Sequence, residues 1–318
     1  MKLVSIVVPV FNEQDNIDIF YKAVLKALEP LPYRFELIFV DDGSTDATPA
    51  IVARLAEADR RVRALILARN YGHQVALSCG LDHANGDAVI TMDGDMQHPP
   101  EMLPQLLGKW EEGFEVVQTI RLTTEGVSWF KKFTSSSFYW LMNAMSNVQV
   151  REGGSDFRLL DRKAVLSFRR FRERARFIRG MISAIGFRQT QIEFVAPPRH
   201  AGVSKFSLQK MMHFALDGIT AYSKMPLRFA FYTGILLGLV SVGLTLHVLY
   251  IKFLTEEAVP GWATITASIL LLGGLQLVFM GIIGEYVGRI FEEVKQRPLY
   301  LVREELNRPP DADSDNAK

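Results

Sequence analysis

The chain has 318 residues, enough for one large or two medium domains, and its 36 basic and 35 acidic side chains leave a formal charge of +1. This balance argues against a nucleic-acid partner, because such a partner requires a net basic surface. The single cysteine, Cys79, excludes an intrachain disulfide and is typical of a reducing compartment.

The first hundred residues alternate between strand-like apolar runs and segments with helical spacing. The apolar runs predict strands at 4–10, 35–40, 62–68 and 87–92. The segments between them predict helices at 16–28, 47–58 and 72–84. Strands with intervening helices imply βαβ units and a parallel sheet. The N-terminal apolar run is too short for a signal peptide, so we interpret it as the first strand.

Polar residues follow every predicted strand, and those after the fourth strand are the most informative. Asp93 and Asp95 are separated by one glycine and have no cationic residue beside them. Ligands of open α/β sheets bind beyond the carboxyl ends of the strands. Carboxylate oxygens there favour Mg²⁺ or Mn²⁺ with open positions for phosphate oxygens. We therefore predict a divalent-cation and diphosphate site; the alternative is a solvated acidic turn.

A second acidic pair, Asp41 and Asp42, lies at the end of the second predicted strand. A carboxylate in this place can accept hydrogen bonds from a ribose hydroxyl or a base N–H. Thr45 and Asp46 are explained as caps of the following helix, but capping does not explain two acids at the strand end. No GxGxxG follows the first strand and no GxxxxGK[ST] occurs, so dinucleotide and P-loop sites lose their main support.

Two apolar segments near the C-terminus, 229–250 and 261–284, carry no formally charged residue. Each is long enough to cross about 30 Å of hydrocarbon as a helix; the alternative is a pair of buried core helices. Lysines and arginines flank the pair on its outer sides, and positive residues lie on the cytoplasmic side of a membrane. We therefore predict a hairpin with both ends in the cytoplasm and its turn outside.

Six arginines crowd one stretch of the chain. They are Arg169, Arg170, Arg172, Arg174, Arg176 and Arg179. We interpret most of them as a solvated helix face. The alternative is contact with anionic lipid headgroups, worth about 1 kcal/mol for each residue near the surface.

Four motifs occur in the order VPVFNE, VDDGSTD, RNYGHQ and MDGDMQHPP, and together they resemble a family 2 glycosyltransferase with the GT-A nucleotide-sugar fold. Three later motifs narrow the resemblance to polyisoprenyl-phosphate glycosyltransferases of the dolichol-phosphate mannose synthase-like group. These are GSDFRL at 154–159, HAGVSKFS at 200–207 and the C-terminal GEYVGRIFEEVKQRPLY. The two-helix C-terminus is similar to bacterial undecaprenyl-phosphate (bactoprenol) glucosyltransferases and their aminoarabinose-transferring relatives.

The resemblance implies an α/β fold, with a Rossmann-like, mostly parallel GT-A domain followed by interfacial helices and a transmembrane hairpin. It covers about residues 3–303. We expect a cytoplasmic catalytic domain at 1–205 and a juxtamembrane amphipathic helix at 206–226. The latter is alternatively a helix packed on the soluble domain. Two transmembrane helices at about 229–251 and 261–285 make up the region 227–290. A cytoplasmic segment follows at 291–318, and its prolines and acids predict disorder from Asn307 onward.

The resemblance also implies how the donor is bound. Pro9, Phe11 and Glu13 would flank the nucleotide. Val40 and Asp42 would contact the base and ribose, with Asp41 close by. Asp93 and Asp95 would bind the metal and diphosphate, with Gln97 beside them. The family often has tyrosine in the place of Phe11, so stacking on a base is retained here and any hydroxyl contact is lost.

Three further residues are expected near the phosphates. Arg121 would lie near the diphosphate or the acceptor phosphate, and Lys205 would be a phosphate ligand on a mobile loop. Asp156 matches the position assigned to the catalytic base. It is alternatively a group that orients the acceptor and Arg158, or a structural partner of Arg158.

The implied activity is inverting, metal-dependent transfer of one sugar from a nucleotide sugar to undecaprenyl phosphate. The similarity to the bactoprenol glucosyltransferases implies that the nucleotide sugar is UDP-glucose. The reaction would take place at the cytoplasmic face of the inner membrane with Mg²⁺ or Mn²⁺. The Gln-x-x-Arg-Trp signature of processive synthases is absent, which favours single-sugar transfer. The alternatives are a non-enzymatic lipid-carrier translocase subunit and a synthase that acts on a sugar acceptor. A homo-oligomer is compatible with these features but is not required by them.

Overall fold

The structure is a computed structural model that describes residues 1–122, 154–174, 176–195, 197, 225–254 and 261–308. The described chain forms two compact units, a mixed sheet with its helices and a pair of long helices. Eight strands form one sheet in the order β7-β5-β6-β4-β1-β2-β3-β8.

The predicted βαβ half of the sheet is confirmed. Its strands are β1 (Leu3–Val10), β2 (Arg34–Asp41), β3 (Val62–Leu67) and β4 (Ala88–Thr91). Its helices are α1 (Ile17–Leu28), α2 (Thr48–Ala58) and α3 (His73–His83). β1 pairs in parallel with both β2 and β4, and β2 pairs in parallel with β3. The strands are almost entirely buried because helices cover both faces of a parallel sheet.

The second half of the sheet is mixed. A short 3-10 helix (Pro100–Met102) leads into α4 (Leu103–Glu111) and β5 (Val116–Leu122). The elements after the first gap are β6 (Gly154–Asp161), α5 (Arg162–Phe168), α6 (Ile178–Ala184) and β7 (Gln189–Val195). β6 runs antiparallel to both β4 and β5. This orientation places the start of β6 at the same edge of the sheet as the end of β4.

The chain reverses its winding direction around β1. It passes from β1 outward to β2 and β3, and then crosses back to form β4 on the other side of β1. In open α/β sheets, such a switch point leaves a crevice at the carboxyl ends of the two strands. Here the crevice lies between the residues after Val10 and those after Thr91.

Helix α3 packs unusually close to the sheet because Gly80 has no side chain. A Cβ atom added to Gly80 would lie 2.1 Å from the Val7 side chain of β1 and 3.1 Å from Val40 of β2. This close packing fixes the height of the helix over the sheet. It thereby sets the position of its first residues, His73 and Gln74, beside the crevice.

The arginine-rich stretch is not a solvated helix face, so that interpretation is wrong. Helix α5 ends at Phe168 and α6 begins at Ile178, and the described residues between them form turns and irregular chain. Arg169 donates to the carbonyl oxygens of Leu81 and Ala84 at the end of α3, at 3.0 and 2.6 Å. Prolines and glycines do not mark this break in the sequence, which is why spacing alone suggested a helix.

Three more arginines of the stretch also have specific partners. Arg172 pairs with Asp82 at 2.9 Å, and Arg176 donates to the Phe171 carbonyl at 2.7 Å. Arg174 donates to the carbonyl of Arg297. Most of the stretch therefore holds chain segments together.

Two long helices form the other unit, α7 (Met225–Leu254) and α8 (Trp262–Val294), and they contact each other. Each contains a segment long and apolar enough to cross a membrane, Met225–Leu244 and Leu271–Val294. Helices therefore cover both predicted spans. Their apolar side chains are largely exposed within the described structure. The predicted juxtamembrane helix, apart from its last two residues, lies outside the described residues.

The chain after α8 returns to the sheet, which the sequence did not reveal. β8 (Val302–Leu306) pairs antiparallel with β3 and closes that edge. The guanidinium of Arg63 on β3 is buried and pairs with Glu36 and with Glu305 of β8, each at 3.0 Å. Asn307, where disorder was expected to begin, donates to the carbonyl oxygens of Ala56 and Val62. Residues 309–318 lie outside the described chain.

We expect Glu305→Ala to destabilise the sheet unit, because it removes a charged partner from the buried Arg63. The free energy of unfolding should fall by about 1.5–3 kcal/mol, the usual range for a hydrogen bond to a charged group. Glu304→Ala is the matched control: Glu304 is exposed, so its loss should cost less than about 0.5 kcal/mol. Denaturant unfolding of the detergent-solubilised protein measures both values. Equal stabilities of the two variants would contradict a stabilising role for the Arg63–Glu305 pair.

Candidate functional site

The candidate site lies at the edge of the sheet where four parallel strands end. The carboxyl ends of β1, β2 and β4 carry Phe11, Asp41 and Asp93. The antiparallel strand β6 adds Asp156 near its start, and the register that pairs Thr91 with Arg158 brings it beside the end of β4. The Thr91 hydroxyl fixes this junction by donating to the Asp156 carbonyl oxygen at 2.6 Å.

His98 fixes the turn that carries Asp93 and Asp95 through a hydrogen bond to its backbone. The Asp93 backbone N–H donates to Nδ1 of His98 at 2.8 Å, so the proton of the neutral ring is assigned to Nε2. Nε2 lies 2.8 Å from the Ser155 hydroxyl, to which it donates. The ring is buried and stacks on Phe157, and burial lowers the pKa of His98. A neutral histidine thus joins the acidic turn to the start of β6.

A second histidine, His73 at the start of α3, bridges two carboxylates. Its Nε2 lies 3.5 Å from Asp93 and 3.6 Å from Asp156. Loss of water around the ring lowers its pKa, but the charges of Asp93 and Asp156 outweigh this effect and raise the pKa of His73 to about 9. The ring therefore carries a positive charge at neutral pH.

The carboxylate of Asp156 is buried between two guanidiniums. Arg158 contacts Oδ1 at 2.6 Å, and Arg179 of α6 contacts Oδ1 and Oδ2 at 3.1 and 3.2 Å. Gln74 donates to Oδ2 at 3.4 Å and accepts from the Ile178 backbone N–H at 3.1 Å. Burial raises the pKa of Asp156, but Arg179, the bond to His73 and Arg158 together hold it well below its usual range. Asp156 is therefore a stable anion and a weak base.

The two acids at the end of β2 have different surroundings. Asp42 accepts the backbone N–H groups of Tyr71 and Gly72 at 2.7 and 2.9 Å, so it braces the loop before α3. Asp41 accepts from the Ser44 backbone at 3.2 Å with one oxygen, while its buried Oδ1 has no hydrogen-bond partner within the described chain. Burial raises the pKa of both carboxyls. Of the two, only Asp41 has a carboxylate oxygen without a partner among the described residues, and that oxygen is buried.

The remaining expected residues fall into three groups. Gln97 and Arg121 lie together, with the guanidinium 3.5 Å from the amide oxygen. Phe11 and Glu13 follow β1 at the crevice, and Phe11 is 39% exposed, as a stacking residue must be. Pro9 and Val40 are buried in the adjacent strands β1 and β2. Lys205 lies outside the described residues.

A divalent cation fits the acidic turn only if a ligand helps to hold it. Asp93 and Asp95 offer carboxylate oxygens, and Asp95 also accepts the Gln97 backbone N–H at 3.1 Å. His98 is unavailable, because its Nδ1 already accepts the Asp93 N–H. In the part of the chain that is described, no three His, Cys, Asp or Glu side chains form a metal-binding group. Such an open pair suits Mg²⁺ or Mn²⁺, which take phosphate oxygens and water as further ligands.

Four residues that hold this site together have no role predicted from the sequence: His73, Gln74, His98 and Ser155. All four lie within motifs that carried the resemblance, RNYGHQ, MDGDMQHPP and GSDFRL. The position of His73 and Gln74 at the first turn of a predicted helix, after a predicted strand, was a usable signal. The partners of His98 depend on the antiparallel placement of β6, which spacing could not reveal.

The pKa values of the two histidines should be shifted in opposite directions in the metal-free protein. We expect the His73 ring to lose its proton near pH 9, and the pKa of the His98 ring to lie below 6.5. Since the pKa of His73 is raised by folding, its charge stabilises the site below about pH 6.5, and this contribution disappears as the pH rises through about 9. NMR of histidine-labelled protein measures both, with His73→Gln to assign the signals. A His73 resonance that titrates near pH 6.5 would disprove the bridge.

The sequence of this chain matches two family models and is similar to known glycosyltransferases over most of its length. The family model for glycosyl transferase family 2 matches residues 5–173, and the model for the GtrB C-terminal hairpin matches residues 225–290. The SfII prophage-derived bactoprenol glucosyl transferase of Shigella flexneri is 40% identical over 94% of this chain and 97% of its own length. The uncharacterized glycosyltransferase YkcC of Bacillus subtilis is 40% identical, with 94% and 93% covered.

A solved structure with a similar arrangement is mannosyl-3-phosphoglycerate synthase from Rubrobacter xylanophilus. It is 17% identical, with a TM-score of 0.48 and coverage of 69% of this chain and 72% of that one. The family assignment depends on the sequence matches, which span the sheet unit and the long helices. The chain is a glycosyltransferase with a GT-A fold and belongs to glycosyltransferase family 2.

Proposed function

We propose that this enzyme transfers one glucosyl group from UDP-glucose to undecaprenyl phosphate, with inversion at the anomeric carbon. The similarity to bactoprenol glucosyl transferases supports the sugar and the acceptor, because it extends over nearly the whole chain, including the hairpin. The product would be a lipid-linked sugar for modification of cell-envelope glycans.

The observation that carries the proposal is the arrangement of charge at the sheet edge. An acidic turn suited to a cation and its diphosphate lies at Asp93 and Asp95. Cationic side chains surround Asp156. The imidazole of His73 contacts the carboxylates of Asp93 and Asp156. A nucleotide-sugar donor and a phosphate acceptor need these two environments next to each other, because their reacting atoms must meet.

The donor would be held by the acidic turn, by the end of β2 and by the ring of Phe11. Asp93 and Asp95 would hold Mg²⁺ or Mn²⁺, which supplies Lewis-acid neutralisation of the leaving diphosphate. The acidic pair Asp41 and Asp42 at the end of β2 would lie beside the base and ribose. Phe11 provides an exposed ring on which the base stacks.

The acceptor needs no strong base to react. A phosphate monoester has a second pKa of about 6, so at neutral pH most of it is already a dianion. A phosphate oxygen forms the new bond to the anomeric carbon, while the bond from that carbon to the diphosphate breaks and the diphosphate leaves with the electron pair. Attack from the face opposite the leaving group inverts the configuration. Asp156, whose pKa is held low by two guanidiniums, orients cations in this scheme and does not remove a proton.

The helical unit anchors the reaction at a membrane, where the lipid acceptor resides. Two apolar helices and the match to the GtrB C-terminal hairpin support membrane association. We propose two spans in the inner membrane with the catalytic domain in the cytoplasm. A cysteine introduced at Glu256 should then react with an impermeant thiol reagent in intact cells. A cysteine introduced at Ser314 should react only after the cells are permeabilised. Labelling of both from one side would contradict this topology.

Transfer of radiolabelled sugar from a nucleotide donor into the lipid fraction tests the reaction. We expect label in the organic phase with the wild type, and a loss of about 10²–10³-fold with EDTA or with Asp95→Ala, because the developing diphosphate charge loses its counter-ion. Glu101→Ala is the control, since Glu101 is an exposed acid in the same segment.

Several outcomes would overturn the proposal. Full transfer in the presence of EDTA would show that the reaction needs no divalent cation at the acidic turn. Label in a polymer would instead indicate a synthase acting on a sugar acceptor. An absence of label from every nucleotide sugar tested would favour a non-enzymatic subunit of lipid-carrier transport.

A further inference from the structure

Arg179 is the member of the arginine-rich stretch that enters the site. Arg169, Arg172 and Arg176 pair with a helix end, with Asp82 and with a backbone carbonyl. Arg179, in the first turn of α6, instead directs Nε and Nη2 at the two oxygens of Asp156, at 3.1 and 3.2 Å. A guanidinium held in this way has a fixed orientation, since two of its five N–H donors are set by one carboxylate.

The two guanidiniums on Asp156 differ in their access to a ligand. The Arg158 side chain is only 1% exposed, so it lies beneath the site. The Arg179 side chain is 33% exposed and contacts both oxygens of the same carboxylate. Of this pair, only Arg179 is placed to contact a bound substrate.

Charge also favours an anion next to Arg179. One carboxylate, Asp156, faces two guanidiniums, so positive charge is in excess around it. The two guanidiniums repel each other across the carboxylate, and a bound anion would relieve that repulsion. Guanidiniums bind phosphate oxygens through paired, geometrically fixed hydrogen bonds.

The position of Arg179 fits the acceptor better than the donor. A chain of contacts runs from the acidic turn at Asp93 through His73 to Asp156 and then to Arg179. The donor diphosphate belongs at the acidic end of this chain. Arg179 lies at the opposite, cationic end, where a second phosphate would approach the sugar.

We propose that Arg179 binds the phosphate monoester of the lipid acceptor, and that Asp156 is the anchor that aims its guanidinium. This inference rests on the proposed transfer to a polyisoprenyl phosphate. It assigns a substrate contact to a residue that the motifs left without a role. It also gives a reason for a buried carboxylate that is too weak a base to take a proton.

Steady-state kinetics with a short-chain polyisoprenyl phosphate in neutral detergent tests the proposal. We expect Arg179→Gln to raise the KM for the acceptor at least about tenfold, while the KM for the nucleotide sugar stays within about twofold. Arg179→Lys keeps the charge but loses the paired hydrogen bonds, so its acceptor KM should be intermediate. Arg170→Gln, an exposed arginine of the same stretch, is the matched control and should behave as the wild type.

Thermal unfolding of each variant separates binding from folding. If Arg179→Gln unfolds at a much lower temperature than Arg170→Gln, the comparison uses Arg179→Lys, for which a threefold or greater rise in acceptor KM supports the proposal. An unchanged acceptor KM in the folded variant overturns it. So does a change confined to the KM of the donor, which would place Arg179 on the diphosphate.

Two other sources of failure are distinguishable. If the wild type transfers no sugar to any polyisoprenyl phosphate, the proposed function itself fails. If Arg179 instead binds bulk membrane lipid, Arg179→Gln should weaken binding to vesicles that contain phosphatidylglycerol and leave the acceptor KM in neutral detergent unchanged. That second result overturns the assignment of Arg179 to the acceptor while the transfer reaction stands.

Discussion

The burial of one carboxylate, Asp156, is the constraint on which the rest of the site depends. A buried charge is costly unless it is paired, and removal of one partner from such a pair leaves an uncompensated charge. Arg158 from the same strand and Arg179 from α6 supply the pairing, and Gln74 joins the carboxylate to the backbone at the start of α6. A single anion thereby holds together the start of β6, the first turn of α6 and the first turn of α3.

The fold makes this arrangement by combining two strand directions at one edge. The parallel strands deliver the acidic turn at Asp93 through the switch point beside β1. The antiparallel strand β6 delivers Asp156 to the same edge from the other direction. His98 and His73 then connect the two, the first as a neutral ring under the turn and the second as a cation between the carboxylates. His98 is neutral because its buried ring packs against the rings of Phe157 and Phe194. His73 is charged because it faces the carboxylates of Asp93 and Asp156.

Local patterns predicted the parallel half of the fold well, because buried strands and amphipathic helices leave clear periodicities. They located Asp93 and Asp95 after β4, and Asp41 and Asp42 after β2. They did not predict β8, whose residues alternate weakly and pair with β3 from far along the chain. They could not distinguish Asp41, whose buried Oδ1 has no partner within the described chain, from Asp42, which braces a loop. Nor could they assign Arg179 to Asp156, since that pairing depends on how α6 packs after an irregular segment.

The most direct test of Asp156 as an anchor, and not a base, is the pH dependence of transfer by Asp156→Asn. Asparagine is nearly isosteric but cannot accept a proton at neutral pH. If the acceptor dianion attacks unaided, the variant should keep a reduced but measurable rate that rises through about pH 6, as the lipid phosphate ionises. Its KM for the acceptor should also increase, because Arg179 is no longer held. Complete loss of transfer at every pH, with unchanged binding of the acceptor, would show that Asp156 is an obligate base.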